Sequence, residues 1–171
     1  MSFQLDWTPF LGTLTKVFLL FLILAILIET IKSIPHWILE SRARAAGIDK
    51  VDSMTGKDFE IWLAQQFKIA GYDVKRTPYQ GDHGADLILS TNNGAKIAVQ
   101  AKKLSKRKDR VGAKALGEVL RGKKYYNCDK AMVVTNQGYT QQARDEAKRI
   151  GIELFDREEL VKFVNVYRKK F

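Results

Sequence analysis

Cysteine and histidine are scarce in this sequence. The chain has a single cysteine, Cys128, which excludes an internal disulfide and is typical of a protein from a reducing compartment. Its only histidines, His36 and His83, form no Cys/His cluster with the spacing of a zinc site. Internal repeats and low-complexity segments are also absent. The sequence is therefore neither a disulfide scaffold nor a Cys/His zinc protein.

Acidic residues are outnumbered by basic ones, 19 to 29, which gives a formal charge of +10 and a pI of about 9.7. The 171 residues suffice for one globular domain with a proper core. Residues 1–34 contain two basic and two acidic residues, so the whole net charge belongs to the remainder. Such a basic domain predicts a polyanionic partner, and a lysine-rich solvated surface is the alternative.

The N-terminal segment, residues 1–34, is dominated by an apolar run. Phe10 to Ile28 contains one charged residue, Lys16, and its second part from Val17 is twelve apolar residues without interruption. This pattern predicts a single transmembrane helix over about residues 10–31. A cleaved signal peptide is disfavoured by Asp6 and by the lack of an Ala-x-Ala site, and a buried core helix stays open as the alternative.

Basic residues follow the apolar run and almost none precede it. Lys32, Arg42 and Arg44 lie on its C-terminal side, so the positive-inside rule predicts an inner-membrane protein with its C-terminal domain in the cytoplasm. Residues 35–51 are predicted to be a juxtamembrane connector, helical over 37–46, and residues 52–171 to be a separate folded domain.

One predicted hairpin carries chemistry. Asp86 opens a short apolar strand, Asn92-Asn93-Gly94 supplies a turn, and Lys96 to Lys102 alternates as a second strand. Alternation projects Gln100 and Lys102 to the same side, and pairing about the turn brings Asp86 close to them. A carboxylate and neighbouring oxygens hold Mg²⁺, and a lysine orients water or stabilises developing charge. The trio therefore suits phosphodiester hydrolysis.

The Asp, turn and Gln-x-Lys arrangement resembles the PD-(D/E)xK nuclease superfamily, specifically the Mrr-like restriction endonucleases with Gln in place of an acidic residue. The resemblance covers roughly Asp52 to Phe163. It implies a restriction-endonuclease-like core, a Mg²⁺ cofactor and double-stranded DNA, including modified DNA, as substrate. The stretches that carry it are, in chain order, residues 54–60, 71–74, 84–88, 99–102, 111–112, 125–126 and 133–136.

The resemblance also implies roles for individual residues. Asp86 would be the principal metal ligand, Gln100 would contribute an oxygen, Lys102 would activate water, and Glu60 would be an outer or second ligand. Independently of the resemblance, the loop before Asp86 offers Asp82 as an accessory acidic ligand and His83 as an accessory base or phosphate contact. His83 departs from the small residue expected in the family, and a tolerated loop side chain is its plainer interpretation. Gly117 stands before Glu118 where the family often has Gln, which predicts that a supporting contact is missing.

A basic connector follows Lys102. Six of the nine residues from Lys102 to Arg110 are basic, and the next predicted helix extends the charge. We expect these side chains to bind the DNA backbone without reading its sequence, and a solvated charge run is the alternative. The predicted contacts are Lys103, Lys106, Arg107, Lys108, Arg110, Arg121, Lys123 and Lys124.

The remaining pattern predicts an α/β protein with element order α-β-β-β-α-β-α-β-α and a mixed sheet covered by helices on both faces. Asp52 or Ser53 is expected to cap the first of these helices, and Thr140 to cap a helix that ends at Gly151. The helix between them is expected to span Val111 to Lys124, with Val111, Ala115, Val119 and Leu120 inward.

Two functions of different classes are compatible with these features. The first is a membrane-anchored, Mg²⁺-dependent DNA endonuclease with a type IV-like restriction role, acting as a homodimer where both strands are cut. The second is a membrane-anchored nucleic-acid-binding protein on a catalytically weak or inactive nuclease scaffold, which the Gln at position 100 favours. A basic face that binds anionic lipid is a third interpretation.

Overall fold

A computed structural model describes residues 8–32, 47–78 and 83–168. The chain divides into two units, residues 1–41 and 42–171, and the second contains the whole sheet. Thirteen elements follow one another in the described part: α1 Thr8–Lys32, α2 Ile48–Ser53, α3 Gly56–Ile69, β1 Asp73–Arg76, β2 Leu87–Ser90, β3 Lys96–Lys102, β4 Arg110–Val111, α4 Lys114–Tyr125, β5 Lys130–Thr135, β6 Gly138–Tyr139, α5 Gln141–Ile150, β7 Glu153–Phe155 and α6 Arg157–Arg168.

Helix α1 exposes its apolar side chains. Between Val17 and Ile28 the described large apolar side chains are 44% to 70% exposed. Among the described residues, however, no helix meets the length and apolarity needed to cross a membrane, so the predicted transmembrane helix is not confirmed. The uninterrupted apolar run is twelve residues, which makes about 18 Å of helix, whereas the hydrocarbon core is about 30 Å thick. The connector helix predicted over 37–46 lies outside the described residues.

The central sheet is mixed, as predicted. Its strands lie in the order β1-β2-β3-β5-β7, with β1, β2 and β3 antiparallel and β3, β5 and β7 parallel. The turn between β2 and β3 uses Gly94 at φ +85°, a left-handed conformation that glycine adopts without a Cβ clash. The predicted element order is confirmed, with three additions: α2 and a small parallel sheet of β4 and β6.

Period-two alternation divides the sheet into two buried faces. On one face Leu87 and Val99 pack with Phe59 and Phe67 of α3 and with Leu160 of α6. On the other face, Ala98 and Val133 pack against α4 and α5 in a cluster that includes Leu116, Val119 and Ala143. Ile48 and Val51 of α2 are fully buried in the first cluster, so the packed domain extends N-terminal to Asp52.

Helix α3 begins later than the sequence predicts. Its N-cap is Thr55, whose Oγ1 accepts a hydrogen bond from the Asp58 N–H at 3.2 Å, while an Asp58 carboxylate oxygen accepts from the Thr55 N–H at 3.3 Å. This reciprocal capping box satisfies two helix-terminal donors, so the prediction of Asp52 or Ser53 as the cap is wrong. Both residues belong instead to α2.

Helix α4 also differs from its prediction. It begins at Lys114, because Val111 is in β4, and its buried apolar residues are Ala115, Leu116 and Val119. Leu120 is 37% exposed rather than inward. Because Val111 is not part of the helix, the buried stripe consists of Ala115, Leu116 and Val119, in which Val119 follows the other two at i+4 and i+3. The prediction for α5 is confirmed, since the Thr140 side chain accepts from the Ala143 N–H and Gly151 ends the helix at φ +70°.

Candidate active site

Asp86 and Gln100 meet at the open end of the β2–β3 hairpin. The register places Leu87 opposite Val99, and the Asp86 N–H donates to the Val99 carbonyl at 2.8 Å. One oxygen of the Asp86 carboxylate, Oδ2, accepts from Gln100 Nε2 at 2.5 Å and from the Ala101 N–H at 2.7 Å. Both side chains are buried. The carboxylate is therefore oriented by the strand beside it, as the predicted convergence requires.

Lys102 is held by a residue on helix α4. Its Nζ lies 2.6 Å from Oε2 of Glu118, and the side chains are 33% and 19% exposed, respectively. Because the pair is partly screened by protein, it fixes the ammonium more firmly than a fully exposed ion pair would. The sequence predicts that a supporting contact is missing, because Gly117 stands where the family often has Gln. In the structure the neighbouring residue, Glu118, contacts Lys102 directly.

A close approach of backbone to backbone brings α4 to the hairpin. Gly84 adopts φ +91°, and a Cβ there would lie 2.1 Å from the Glu118 carbonyl oxygen. A Cβ at Gly122 would lie 2.5 Å from that of Ala85. On its other side the segment is fixed by Thr77, which donates to the carbonyls of Ala85 and Asp86. Only small residues permit this contact, which holds the segment that leads into Asp86 against the helix that carries Glu118.

The chain just after Lys102 is fastened by the end of β5. Thr135 Oγ1 donates to the Lys102 carbonyl at 2.7 Å. The Asn136 side chain accepts from the Leu104 N–H at 2.8 Å and donates to the Leu104 carbonyl at 3.0 Å. Asn136 is fully buried, so its side-chain amide cannot bind water and is satisfied by these bonds instead. Three backbone groups, the Lys102 carbonyl and the Leu104 N–H and carbonyl, are thus satisfied where β3 leaves the sheet.

An ion pair supports Asn136 in turn. Its Nδ2 donates to the Asp52 carboxylate at 3.0 Å, and Arg157 holds the same carboxylate with two bonds of 2.8 and 2.9 Å. Arg157 also donates to the Asn136 carbonyl at 3.1 Å. Bidentate pairing fixes both partners in direction as well as distance. The network connects α2 and α6 to the strand that carries Gln100 and Lys102.

Glu60 lies in the N-terminal half of α3 and is half-buried. That helix packs on the face of the sheet that carries Leu87 and Val99, whereas Gln100 shares its alternation with Ala98 on the other face. The role of Glu60 as a metal ligand stays a prediction.

The open end of the β2–β3 hairpin offers oxygen donors, the ligand type that Mg²⁺ prefers. Within residues 8–32, 47–78 and 83–168 no group of three or more His, Cys, Asp and Glu side chains is placed to hold a metal ion. The donors near Asp86 are one carboxylate, one carboxamide and the Ala101 carbonyl, which lies 3.4 Å from Gln100 Nε2. Such a set fits Mg²⁺, which keeps several waters and takes further oxygens from phosphate, better than it fits a softer metal.

The accessory residues and the basic residues are arranged as follows. Asp82 lies outside the described residues. His83 is exposed and stacks on Tyr125 of α4. In the basic connector the Arg110 guanidinium donates to the carbonyls of Arg107 and Asp109, which orders the loop. Of the predicted DNA contacts, Lys103 and Lys123 are half-buried, and the exposed ones are Lys106, Arg107, Lys108, Arg110, Arg121 and Lys124.

Comparison with known proteins settles the family. The sequence profile of the Mrr-type catalytic domain, described as "Restriction endonuclease", matches residues 51–164. The chain belongs to the Mrr-type restriction endonuclease family. The match contains Asp86, Gln100, Lys102 and the whole central sheet. No curated protein sequence matches the chain.

Two solved structures share the fold of this family member. The DNA modification-dependent restriction endonuclease AspBHI is similar with a TM-score of 0.59 at 16% identity, over 77% of this chain and 36% of that one. The MspJI restriction endonuclease, in complex with a 27-mer oligonucleotide, gives a TM-score of 0.53 at 17% identity, over 74% of this chain and 32% of that one. The chain spans about a third of the length of these enzymes.

Sequence reasoning missed the contacts that come from other elements. The role of Glu118 as the partner of Lys102 depends on how α4 crosses the sheet, and no local pattern states that crossing. Gly122 carries a signal, because a glycine inside an otherwise regular helix indicates a close approach. Asn136 directly follows a buried strand, where a short polar side chain is well placed to bind chain ends.

Proposed function

We propose that this chain is a Mg²⁺-dependent DNA endonuclease of the PD-(D/E)xK type that hydrolyses phosphodiester bonds in restriction. The observation that carries the proposal is the hairpin end, where Asp86 and Gln100 are hydrogen-bonded and Lys102 lies two residues further along the same strand. This arrangement is found inside a domain of the restriction endonuclease family.

Each residue has a role in that reaction. Asp86 and Gln100, together with the Ala101 carbonyl, would hold Mg²⁺, and Glu60 would contribute through a bound water or a second site. The metal would polarise a phosphoryl oxygen and lower the pKa of a bound water. Lys102 would orient that water and stabilise the charge that develops on the phosphate. Because Gln100 carries no charge, the free protein should bind metal weakly and gain affinity when DNA supplies phosphate oxygens.

The proposed substrate is double-stranded DNA. The exposed basic side chains of the connector and of α4 would bind its backbone by releasing counterions, which gives affinity without sequence specificity. AspBHI is described as DNA modification-dependent and MspJI as bound to an oligonucleotide. Similarity to them supports testing modified as well as unmodified DNA. A homodimer would supply the two active sites needed to cut both strands.

The test is plasmid cleavage by the full-length protein with Mg²⁺ titrated from zero. We expect cutting that requires the metal and that Asp86→Ala and Lys102→Ala each reduce by at least about 100-fold, in line with the loss of one positioned charge. The matched control is Lys130→Ala, which removes an exposed lysine that pairs with Glu153. Cleavage that persists in both site variants would place the chemistry elsewhere in the chain.

The runner-up is a nucleic-acid-binding protein on an inactive nuclease scaffold. Its support is the uncharged Gln100 and the lack, in the described ranges, of three His, Cys, Asp or Glu side chains placed to hold a metal ion. Lys102→Ala separates the two functions, because an enzyme loses cleavage and keeps most of its DNA affinity. A folded wild-type protein that binds unmodified and methylated DNA but cuts neither would favour the scaffold.

Attachment to the inner membrane through α1, with the C-terminal domain in the cytoplasm, is proposed separately. Its support is the exposed apolar surface from Val17 to Ile28 and the basic residues that follow it. Alkaline carbonate extraction of membranes tests it: attached protein stays in the pellet, and a variant with Leu20, Leu22 and Leu24 replaced by Asn is released. Wild-type protein in the supernatant contradicts the attachment.

A further inference from the structure

A cavity of about 440 Å³ lies next to the active-site segment and is lined by His83, Arg121, Lys124 and Tyr125. Two of these residues are aromatic rings and two are cations. The proposed hydrolysis uses neither ring. Arg121 and Lys124 were predicted only to contact the DNA backbone. The proposed function therefore gives no role to two rings and two cations that lie together.

The two rings form an ordered stack. Their centroids are 3.6 Å apart and their planes differ by 17°. Tyr126 packs edge-on against Tyr125 with centroids 4.9 Å apart, and fixes the stack from the side of the core. Tyr125 is nevertheless 61% exposed. A rigid aromatic surface that is open to solvent is a platform on which another flat ring can stack at little entropic cost.

The backbone at His83 is held in an uncommon conformation. His83 has φ +51°, and Gly84 follows at φ +91°. Two successive residues in the left-handed region turn the chain sharply and place the imidazole against α4. Left-handed backbone at a non-glycine residue costs free energy, and the surrounding structure must hold it there. The stack on Tyr125 supplies that restraint.

Helix α4 runs from the candidate active site to the cavity. Glu118 contacts Lys102, Gly122 contacts Ala85, and Tyr125 contacts His83. A helix rises about 1.5 Å per residue, so the seven residues from Glu118 to Tyr125 span about 10 Å. That distance corresponds to about three nucleotides of stacked strand at about 3.4 Å each. A DNA strand bound at Asp86 therefore reaches the cavity within a few nucleotides.

We propose that His83, Arg121, Lys124 and Tyr125 form a subsite for one unpaired nucleotide near the cleaved bond, which rests on the proposed endonuclease function. Its base stacks on the His83–Tyr125 pair, and its phosphate is bound by Arg121 and Lys124. In an intact duplex each base is covered by its neighbours and cannot use an aromatic platform, whereas an unstacked base can. The subsite thus selects DNA with a bulged, mismatched or extruded base.

The test compares two duplexes that differ in one residue. One is fully paired, and the other carries a single unpaired thymidine at the same place. Affinity of the full-length protein is measured by fluorescence anisotropy in EDTA, so that nothing is cleaved. We expect Tyr125→Ala to weaken binding of the bulged duplex by about 5- to 150-fold and of the paired duplex by less than about twofold.

Four further variants serve as controls. Tyr125→Phe keeps the ring and should bind both duplexes as wild type does. His83→Ala removes the second ring without altering α4, and should repeat the selective loss. Arg121→Ala should weaken both duplexes and lower the slope of log affinity against log salt by about 1, whereas Lys148→Ala, on the exposed face of α5, should leave that slope unchanged.

Two results overturn the subsite: Tyr125→Ala weakening both duplexes equally, or weakening neither, in protein whose thermal unfolding matches wild type. Because binding is measured without metal, the result is independent of cleavage. A selective loss of the bulged duplex together with no cutting in Mg²⁺ would keep the subsite and reject the endonuclease.

Discussion

The Lys102 ammonium and the Glu118 carboxylate form an ion pair at the candidate active site. At 2.6 Å the pair orients Lys102, but a third of the lysine side chain is exposed. Exposed ion pairs contribute about 0 to 1 kcal/mol to the free energy of folding. The pair therefore matters more for the position of the Lys102 ammonium than for the stability of the fold. In the proposed reaction, a DNA phosphate would compete with Glu118 for the same ammonium.

Glu118→Gln tests this positioning. It keeps the shape and removes the charge that holds Lys102. We expect the free energy of unfolding to change by less than about 1 kcal/mol. We expect kcat on plasmid DNA to fall by about tenfold or more, because a displaced catalytic group loses its alignment. Equal kcat in variant and wild type would show that Lys102 needs no partner.

Asn136 acts on the active site through the backbone. Asn136→Ala removes two bonds to Leu104 and one to Asp52, and leaves buried polar groups unsatisfied. We expect a loss of about 2 to 4 kcal/mol in the free energy of unfolding, measured by urea denaturation. Ser53→Ala, which removes an exposed bond to the Lys50 carbonyl, is the matched control and should cost far less. A loss under about 0.5 kcal/mol for Asn136→Ala would contradict the anchoring role.

Among the elements, α4 has the most demanding contact. It approaches the Gly84–Ala85 segment so closely that Gly122 has no room for a side chain, whereas Gly117 on the same helix has none of the described atoms within 4 Å of a Cβ. The two glycines therefore differ in environment but share a helix. They form a natural pair for separating packing from helix propensity.

Gly122→Ala places a methyl group 2.5 Å from the Ala85 Cβ and 2.9 Å from its backbone nitrogen. We expect the Asp86 segment to shift, cleavage to be lost, and unfolding to become easier by about 1 to 3 kcal/mol. Gly117→Ala should instead stabilise the protein by up to about 1 kcal/mol, since alanine is the better helix former. Thermal unfolding and plasmid cleavage measure both. The same response in the two variants would reject the packing argument.

The start of α3 gives a pH-dependent prediction. Hydrogen bonds from the Thr55 side chain and backbone hold the pKa of Asp58 below its ordinary value. A depressed pKa stabilises the fold above the unfolded pKa of about 3.9, and that contribution is lost as pH falls through the folded pKa. Asp58→Asn should therefore be less stable than wild type at neutral pH, with the difference shrinking below about pH 4. Urea denaturation across pH checks it, and a constant difference would argue against the capping box.

The hairpin could be predicted from the sequence because its signals are local. Asn92-Asn93-Gly94 specifies the turn, and alternation then brings Asp86 to Gln100. The cap at Thr55 was missed although its Thr-x-x-Asp pattern is local, because Asp52 and Ser53 are also good caps. The sequence could not tell that Leu116 is buried and Leu120 is exposed, because that assignment depends on knowing that the helix starts at Lys114. The contacts of Glu118 and Asn136 join distant segments, and no local pattern states them.

At the scale of the molecule, the domain boundary has a consequence for truncation. Ile48 and Val51 are fully buried in the core although both precede Asp52. A fragment of residues 52–171 lacks both side chains, whereas a fragment of residues 42–171 keeps them. Each buried side chain contributes about 1.5 to 3 kcal/mol, so the shorter fragment should be less stable by about 3 to 6 kcal/mol. Chemical denaturation of the two fragments measures it, and equal stability would place the boundary at Asp52.

The same architecture sets the order in which the active site is completed during synthesis. Asp86 and Gln100 pair across 14 residues, Lys102 and Thr135 across 33, and Asp52 and Arg157 across 105. Short separations close first because they cost less chain entropy. The hairpin that carries the proposed catalytic residues is synthesised before the helix that fastens it, so a nascent chain contains these residues before their alignment is fixed. The contacts that align the proposed catalytic residues are therefore complete only once α6 has packed and Arg157 has met Asp52.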